Sequence, residues 1–473
     1  MMNLLKCLFW TLLGLLLISP VCEAAETDPL EIGTAQADIT PPVPFRMAGY
    51  FSERPSTGTS DPLYAKAMAF RQGSNTAVFV ICDLISIGTV HSDPIRKNIS
   101  EQTGIPKSAI VVAVTHSHTG PLYYGALHDH LHEKAIREKG KDPLEILDYS
   151  KLLISQATQA AVDAFKNLKP ASLAVGKAHV EDLSFNRRFH MRGPGPVVFN
   201  PGFNNKNLLR PAGPVDPEVC CALFSDLKTG KPIASFTNFA LHLDTTGGTL
   251  YSADYPFYLS EVLKEKYGKS FFSLFGTGTC GDINHLDFAG NRPRLKAPAI
   301  GERLGKIVAD SFDKNKGLSA PDLAVLEKTA LWPRQQFTEQ EMKEAKSKMD
   351  EVFDQKGPFL ERVKHTKIHM LSTREKEIML DIQVVQIAKD FAVVALPGEV
   401  FVDLGLAIKK GSPFKNTMVI ELSQTSVAYV PTKKAFAEGS YETINSFLQP
   451  GGGEKMVELA LEALFELKDK HKR

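Results

Sequence analysis

The sequence predicts an α/β fold, and two observations carry that expectation. Short apolar runs rich in β-branched residues alternate along the chain with segments whose apolar residues recur at helical spacing. Of the 473 residues, 43% are hydrophobic and 23% charged, so the chain can bury one large core or two ordinary ones. A formal net charge of +1 argues against a nucleic-acid partner, because binding phosphates needs a basic face.

The chain starts with a basic Lys6, then the apolar run 7–21, then Cys22-Glu23-Ala24-Ala25. That order describes a secretory signal peptide over residues 1–25, cut near Ala24 or Ala25, and implies a secreted or periplasmic protein. The run is too short to span a bilayer, and no later stretch is apolar enough, so no transmembrane segment is expected after cleavage. Ser19-Pro20-Val21 ahead of Cys22 is a poor lipidation signal. Residues 77–84 and 110–114 read as buried strands, and 153–168 as a helix with alanines on its narrow face. The Gly- and Pro-rich stretch 193–217 is too long for a connector and is a candidate pocket wall. Residues 219–224 and 233–240 form a hairpin across Thr229-Gly230-Lys231. A seam near 318–322 precedes a solvated helix over 338–353, rich in Glu and Lys. Residues 391–396 read as a buried strand and 457–467 as a closing amphipathic helix. After the signal peptide Cys82, Cys220, Cys221 and Cys280 remain, too few for a disulfide scaffold; one bridge or buried free thiols are the alternatives.

Chemistry concentrates where these runs end. Thr115-His116-Ser117-His118-Thr119-Gly120-Pro121 closes the strand at 110–114. Side chains two apart on an extended segment share a face, so His116 and His118 are expected to point the same way. Two imidazoles at a strand–loop junction suit a metal ion and a proton-transfer partner; the alternative is one core histidine and one exposed. Phe239-Ala240-Leu241-His242 ends the hairpin with a third imidazole, a metal ligand or a core histidine. Leu396-Pro397-Gly398-Glu399 puts a carboxylate just past a strand, where it suits a metal or caps the next helix. Tyr429 sits in the short apolar segment Ala428-Tyr429-Val430-Pro431. The glycine-rich turn from Gly276 to Asn284 either points N–H groups at a ligand or is a plain tight turn. Two histidines and a glutamate with one position left for water form a recurring catalytic zinc set.

In this order the motifs resemble the neutral ceramidase family, zinc-dependent non-lysosomal amidases that split ceramide into sphingosine and fatty acid. Ala37-Asp38-Ile39-Thr40-Pro41-Pro42, Met47-Ala48-Gly49-Tyr50 and Asp61-Pro62-Leu63-Tyr64-Ala65 are similar to the family's opening. Thr115 to Pro121 resembles its Thr-His-Thr-His-Ser-Gly-Pro segment, and Asn186-Arg187 its Asn-Arg pair. Phe239 to His242 and Pro397-Gly398-Glu399 resemble further zinc-ligand segments, and Tyr429 to Tyr441 a segment with two tyrosines. The resemblance spans nearly the whole mature chain and implies that 26–473 is one neutral-ceramidase-like catalytic domain. It implies a mixed β-sheet core flanked by helices, with a zinc site at strand ends. It further implies one zinc per chain held by His116, His242, Glu399 and Tyr429, with His118 moving protons. Arg187 and Tyr441 would line the pocket, and Asp282 would orient the glycine-rich turn. Two departures stand out. The family's Gly-Asp-Val-Ser-Pro turn is here Gly281-Asp282-Ile283-Asn284-His285, so Asn284 replaces the family's active-site serine and can donate a hydrogen bond but form no acyl-enzyme. The chain also stops soon after its last helix, where the family continues into an immunoglobulin-like domain.

The implied reaction is hydrolysis of the amide bond of an N-acylated, ceramide-like lipid by a zinc-activated water, with peripheral contact to membrane lipid. The alternatives are a metalloamidase acting on another N-acyl compound, a zinc esterase, and a metal-retaining protein that binds without catalysis. His128-Asp129-His130-Leu131-His132 is His-rich, but the charged run 133–142 behind it reads as solvated, so a surface loop or helix start is expected. Asn98-Ile99-Ser100 fits the glycosylation sequon.

Overall fold

The computed structural model describes residues 28–314 and 317–470, so the expected signal peptide lies outside the described residues. Eight strands form one sheet in the order Phe272–Thr277, Pro232–Phe239, Glu218–Asp226, Lys169–His179, Glu31–Asp38, Tyr64–Gln72, Asn75–Cys82 and Ile110–Val114. The outermost pair at each edge is parallel and the pairs between are antiparallel, which makes the sheet mixed. Each parallel pair needs a crossover, supplied by helices Thr89–Thr103 and Tyr255–Tyr267. The predicted hairpin is present: Glu218–Asp226 pairs antiparallel with Pro232–Phe239. Cys220 and Cys221 fall into different core clusters, as opposite faces of a strand require, and all four described cysteines are buried free thiols.

At the predicted seam the chain enters a second sheet of Pro321–Pro333, Glu377–Ala388, Phe391–Ala395 and Asn416–Ile420, its last pair parallel. Helix Gly452–Lys470 packs on it, longer at both ends than its sequence pattern suggested. The solvated helix predicted over 338–353 is two helices, Glu339–Ser347 and Met349–Phe353, begun by a capping box between Thr338 and Glu341. The two sheets share a core, since Leu323, Val385 and Phe391 pack with Phe70, Phe79 and Phe236.

What positions the site is the way the large sheet closes. Its two edge strands end side by side, where the Thr277 hydroxyl donates to the Thr115 carbonyl at 2.8 Å. The chain leaving Asn416–Ile420 lies against both edges: Glu421 N–H donates to Thr277 O at 3.0 Å, and Gln424 N–H to Val112 O at 2.7 Å. Edge groups that would otherwise be bare are thereby paired. Buried Asn238 ties the same sheets, donating to Gly276 O at 2.8 Å and to Val419 O at 3.1 Å. Asn238→Ala should therefore destabilise the fold by about 1–3 kcal/mol for each buried bond lost, read as a lower urea midpoint with unchanged slope.

Candidate metal centre

His116, His118, His242 and Glu399 follow the ends of parallel-paired strands, and Tyr429 and Asn284 lie on two-residue bridges. Arg187 and Asp282 adjoin the bridge of Asn284, and Tyr441 opens a short helix. Strand Ile110–Val114 stops two residues before His116, which adopts a left-handed φ of 72°. The expectation that His116 and His118 share a face of an extended segment is thus corrected. The backbone turns at His116, held by its N–H to Leu84 O, and this strained turn rather than strand alternation brings the two rings together. Their Nε2 atoms lie 3.3 Å apart. His242, fully buried, faces them with its Nε2 2.9 Å from that of His116.

The protons on these rings are dictated by their backbone partners. His116 Nδ1 lies 2.7 Å from the Ile85 carbonyl and His242 Nδ1 3.2 Å from the Cys280 carbonyl. A carbonyl only accepts, so both Nδ1 atoms carry a hydrogen, which turns the two Nε2 atoms toward each other as the positions free to take a proton or a metal ion. Glu399 adds an anion: its Oε2 is 3.3 Å from His116 Nε2 and 3.8 Å from His242 Nε2, buried and without a hydrogen-bond donor. Burial alone would raise this carboxyl, but His116, Arg187 and Tyr429 outweigh it and hold it below the usual range, so it is ionised. Burial, reinforced by His116, pushes His242 well down and His118 to about 4, so both are neutral. Imidazole nitrogens and a carboxylate oxygen converging within a few ångströms fit a cation, and His116, His118 and His242 offer three nitrogens within 4.8 Å of one another.

Tyr429 lies beside Glu399 in the small parallel bridge Glu399–Val400 with Tyr429–Val430. Its hydroxyl bonds to Glu399, and burial with that neighbouring carboxylate keeps the phenol protonated. Arg187 is buried beneath both, donating from Nε to Glu442 at 2.9 Å and from Nη2 to Gly281 O at 2.9 Å, with its guanidinium 5.3 Å from the Tyr429 ring. Tyr441 stacks on Phe199 at 4.6 Å and Phe359 at 5.6 Å, and Phe51 completes an aromatic wall. The predicted pocket-wall stretch 193–217 supplies Phe199 to it.

Asp282 ties the glycine-rich turn to two neighbouring segments. It accepts from Asn186 Nδ2 at 2.7 Å and from Val402 N–H at 2.9 Å, and burial raises its carboxyl to about 6. Because Asp282 takes the first amide of helix Val402–Gly411, Glu399 is not that helix's cap. Asn284 is fully buried, with its amide donating to Asn200 at 2.9 Å and accepting from Leu286 N–H at 2.9 Å. It anchors the wall loop.

Several residues went unread in the sequence. Glu421 follows its strand as Glu399 does, accepting from Cys280 Sγ at 3.1 Å and Val400 N–H at 2.6 Å. Asp244 pairs with His285 Nδ1 at 3.1 Å, and both adjoin residues already singled out. Arg54 donates to the His118 carbonyl at 2.6 Å and stacks on Tyr50 at 4.6 Å. Gly49, at φ +108°, passes so close that a Cβ there would lie 2.5 Å from that same carbonyl. The Met47-Ala48-Gly49-Tyr50 motif therefore clamps His118 from outside.

A family model described as neutral/alkaline non-lysosomal ceramidase, N-terminal, matches residues 30–272. The fold is similar to that of a neutral ceramidase from Pseudomonas aeruginosa, with a TM-score of 0.71 and 16% identity over 94% of this chain and 75% of that one. It is also similar to a structure of a ceramidase complexed with C2, with a TM-score of 0.68 and 15% identity over 94% of this chain and 76% of the other. No curated protein matches the chain by sequence.

Removing either imagined anchor of the ion should empty the site while leaving the scaffold. His116→Ala and His242→Ala are expected to lose the ion of this centre, read by elemental analysis as less metal per chain than wild type, with circular dichroism unchanged; wild-type content in both would reject the metal assignment.

Proposed function

Because this chain belongs to the neutral/alkaline non-lysosomal ceramidase family, we propose that it is a zinc-dependent hydrolase cleaving the amide bond of an N-acylated, ceramide-like lipid. The observation that carries this reading is the pair of facing Nε2 atoms, 2.9 Å apart, beside the donor-free oxygen of ionised Glu399. His116, His242, Glu399 and Tyr429 would hold the ion. When bound, zinc supplies a water acidified to near-neutral pKa and Lewis-acid polarisation of a carbonyl.

The chain's own groups supply the rest. His118 is neutral, partly open to the cleft and clamped by Arg54, which suits it to take a proton at Nε2 and return it to the departing amine. The Tyr429 hydroxyl, kept protonated, is a donor for charge developing on the carbonyl oxygen. Arg187 holds the turn at Gly281 and the two tyrosines in register. The aromatic wall of Phe51, Phe199, Phe359 and Tyr441 suits an acyl chain. One observation favours a second arrangement: His118 Nε2 is as close to His116 as a third imidazole ligand would be. The two arrangements separate cleanly. His118→Ala should keep zinc and lose turnover by about two to four orders of magnitude, the usual worth of a positioned acid or base. Loss of zinc in that variant would make His118 a ligand instead.

A secreted or periplasmic setting fits the amino-terminal pattern, and no helix among the described residues is long and apolar enough to cross a membrane. Contact with a lipid surface is supported by the ribbon over 187–215. It exposes Val198, Phe203 and Leu209 together with Arg192, Lys206 and Arg210, and carries no acidic residue. Phe203→Ser with Leu209→Ser should slow hydrolysis of substrate in anionic vesicles several-fold and leave a short, water-soluble substrate unaffected. Equal effects on both would remove the surface role.

The substrate class is tested with a panel of N-acyl lipids and N-acyl amino acids on the zinc-loaded protein. Ceramide turnover, abolished in His242→Ala, is the expected result. Turnover of only another N-acyl compound would make the chain a metalloamidase of different scope, and zinc retention without any turnover would make it a binding protein.

A further inference from the structure

Away from this cleft, helix Ala126–Lys139 and the turn behind it assemble a second knot of metal-ligating groups. His128 and His132 stand one turn apart on one face, their rings stacked with centroids 5.8 Å apart. The charged run after them was expected to be solvated, yet the Asp142 side chain is only 2% exposed, because the chain folds back against the helix. His132 Nδ1 lies 2.9 Å from Asp142 Oδ2 and 2.6 Å from Glu145 Oε2. His132, Asp142 and Glu145 each offer one ligand atom, and the three lie within 4.8 Å of one another. Glu145 is steadied by His128 Nε2 at 3.2 Å, and His128 in turn by Asp129 at 2.9 Å.

A single imidazole nitrogen can donate to one oxygen, so two carboxylates crowding His132 Nδ1 leave one anion unanswered by that ring. Arg46 reaches Asp142, whereas Glu145 meets only the imidazoles of His128 and His132 among the described residues. One nitrogen and two carboxylate oxygens suit a borderline divalent ion; calcium and magnesium prefer all-oxygen sets. Zinc bonds of about 2.0–2.2 Å set tetrahedral ligands roughly 3.3–3.6 Å apart, so the two contacts of His132 need to open by about 0.4–1 Å.

We propose that His132, Asp142 and Glu145 bind a second zinc ion, structural in role, with water completing its coordination. The ion ties the helix to Asp142, whose partner Arg46 also holds Glu53 at 2.8 Å and so anchors both ends of the segment that clamps His118. It is independent of the centre at His116 and His242.

The test is zinc stoichiometry by elemental analysis on the full chain, free of any histidine tag, stripped with chelator and reloaded with zinc. Wild type is expected to hold two ions per chain, and His242→Ala and Glu145→Gln one each. Zinc should raise the melting temperature of His242→Ala and leave that of the His242→Ala, Glu145→Gln double variant unchanged. If His242→Ala does not fold, wild type against Glu145→Gln alone decides. Equal zinc content in those two would overturn the proposal, as would a wild type that saturates at one ion lost in His242→Ala. One ion lost in Glu145→Gln and kept in His242→Ala would uphold this site and reject the other.

Discussion

The centre of this molecule rests on two backbone carbonyls. By accepting the Nδ1 hydrogens of His116 and His242, Ile85 and Cys280 leave both Nε2 atoms aimed at one point. Two acceptors 2.9 Å apart repel unless a positive charge lies among them, so the fold stores an electrostatic demand there. Everything nearby is arranged to preserve it. Burial keeps His242 and His118 neutral, and Arg187 and Tyr429 keep Glu399 ionised. By accepting from the backbone amides of Val400 and Val402, Glu421 and Asp282 hold the segment that carries Glu399.

That arrangement explains the strain at His116. A left-handed φ on a non-glycine residue costs of order 1–3 kcal/mol and persists only when its surroundings enforce it. Here the enforcement comes from Leu84 inside and from Gly49 and Arg54 outside. Ala428, at φ 54°, bends the chain just before Tyr429 in the same way. Strained turns sit immediately before or at groups that must point inward.

How much of this was legible in the sequence depends on how local the signal was. Strand ends were readable because β-branched runs stop at Gly, Pro or His, which located His116, His242 and Glu399 to within a few residues of strands that exist. The hairpin followed from Thr229-Gly230-Lys231, and the closing helix from its period. What did not show were facts that depend on distant partners. Nothing around Asn284 announces that its amide is taken by Asn200, and nothing in the charged run after His132 announces that Asp142 is buried beneath Arg46. The alternation rule failed at His116 because the strand had already ended, and a single backbone dihedral, invisible in residue type, replaced it. Gly49 was recognisable only as part of a motif; its reason is the carbonyl that passes 2.5 Å from where a Cβ would be.

The closure of the large sheet has a temporal side. Its two edge strands, Ile110–Val114 and Phe272–Thr277, are finished long before the residues around Glu421 and Gln424 that cover them. The groups of the candidate centre, His116 to Glu399, are likewise drawn from segments more than 280 residues apart. A polypeptide growing from its amino end therefore carries two open β edges and an incomplete donor set until its last quarter arrives. Contacts so remote in sequence make the final docking a slow, entropy-limited step. During that wait the exposed edges are the natural place for wrong pairing with another chain. Competence and protection from aggregation arrive together, with the same short stretch of backbone.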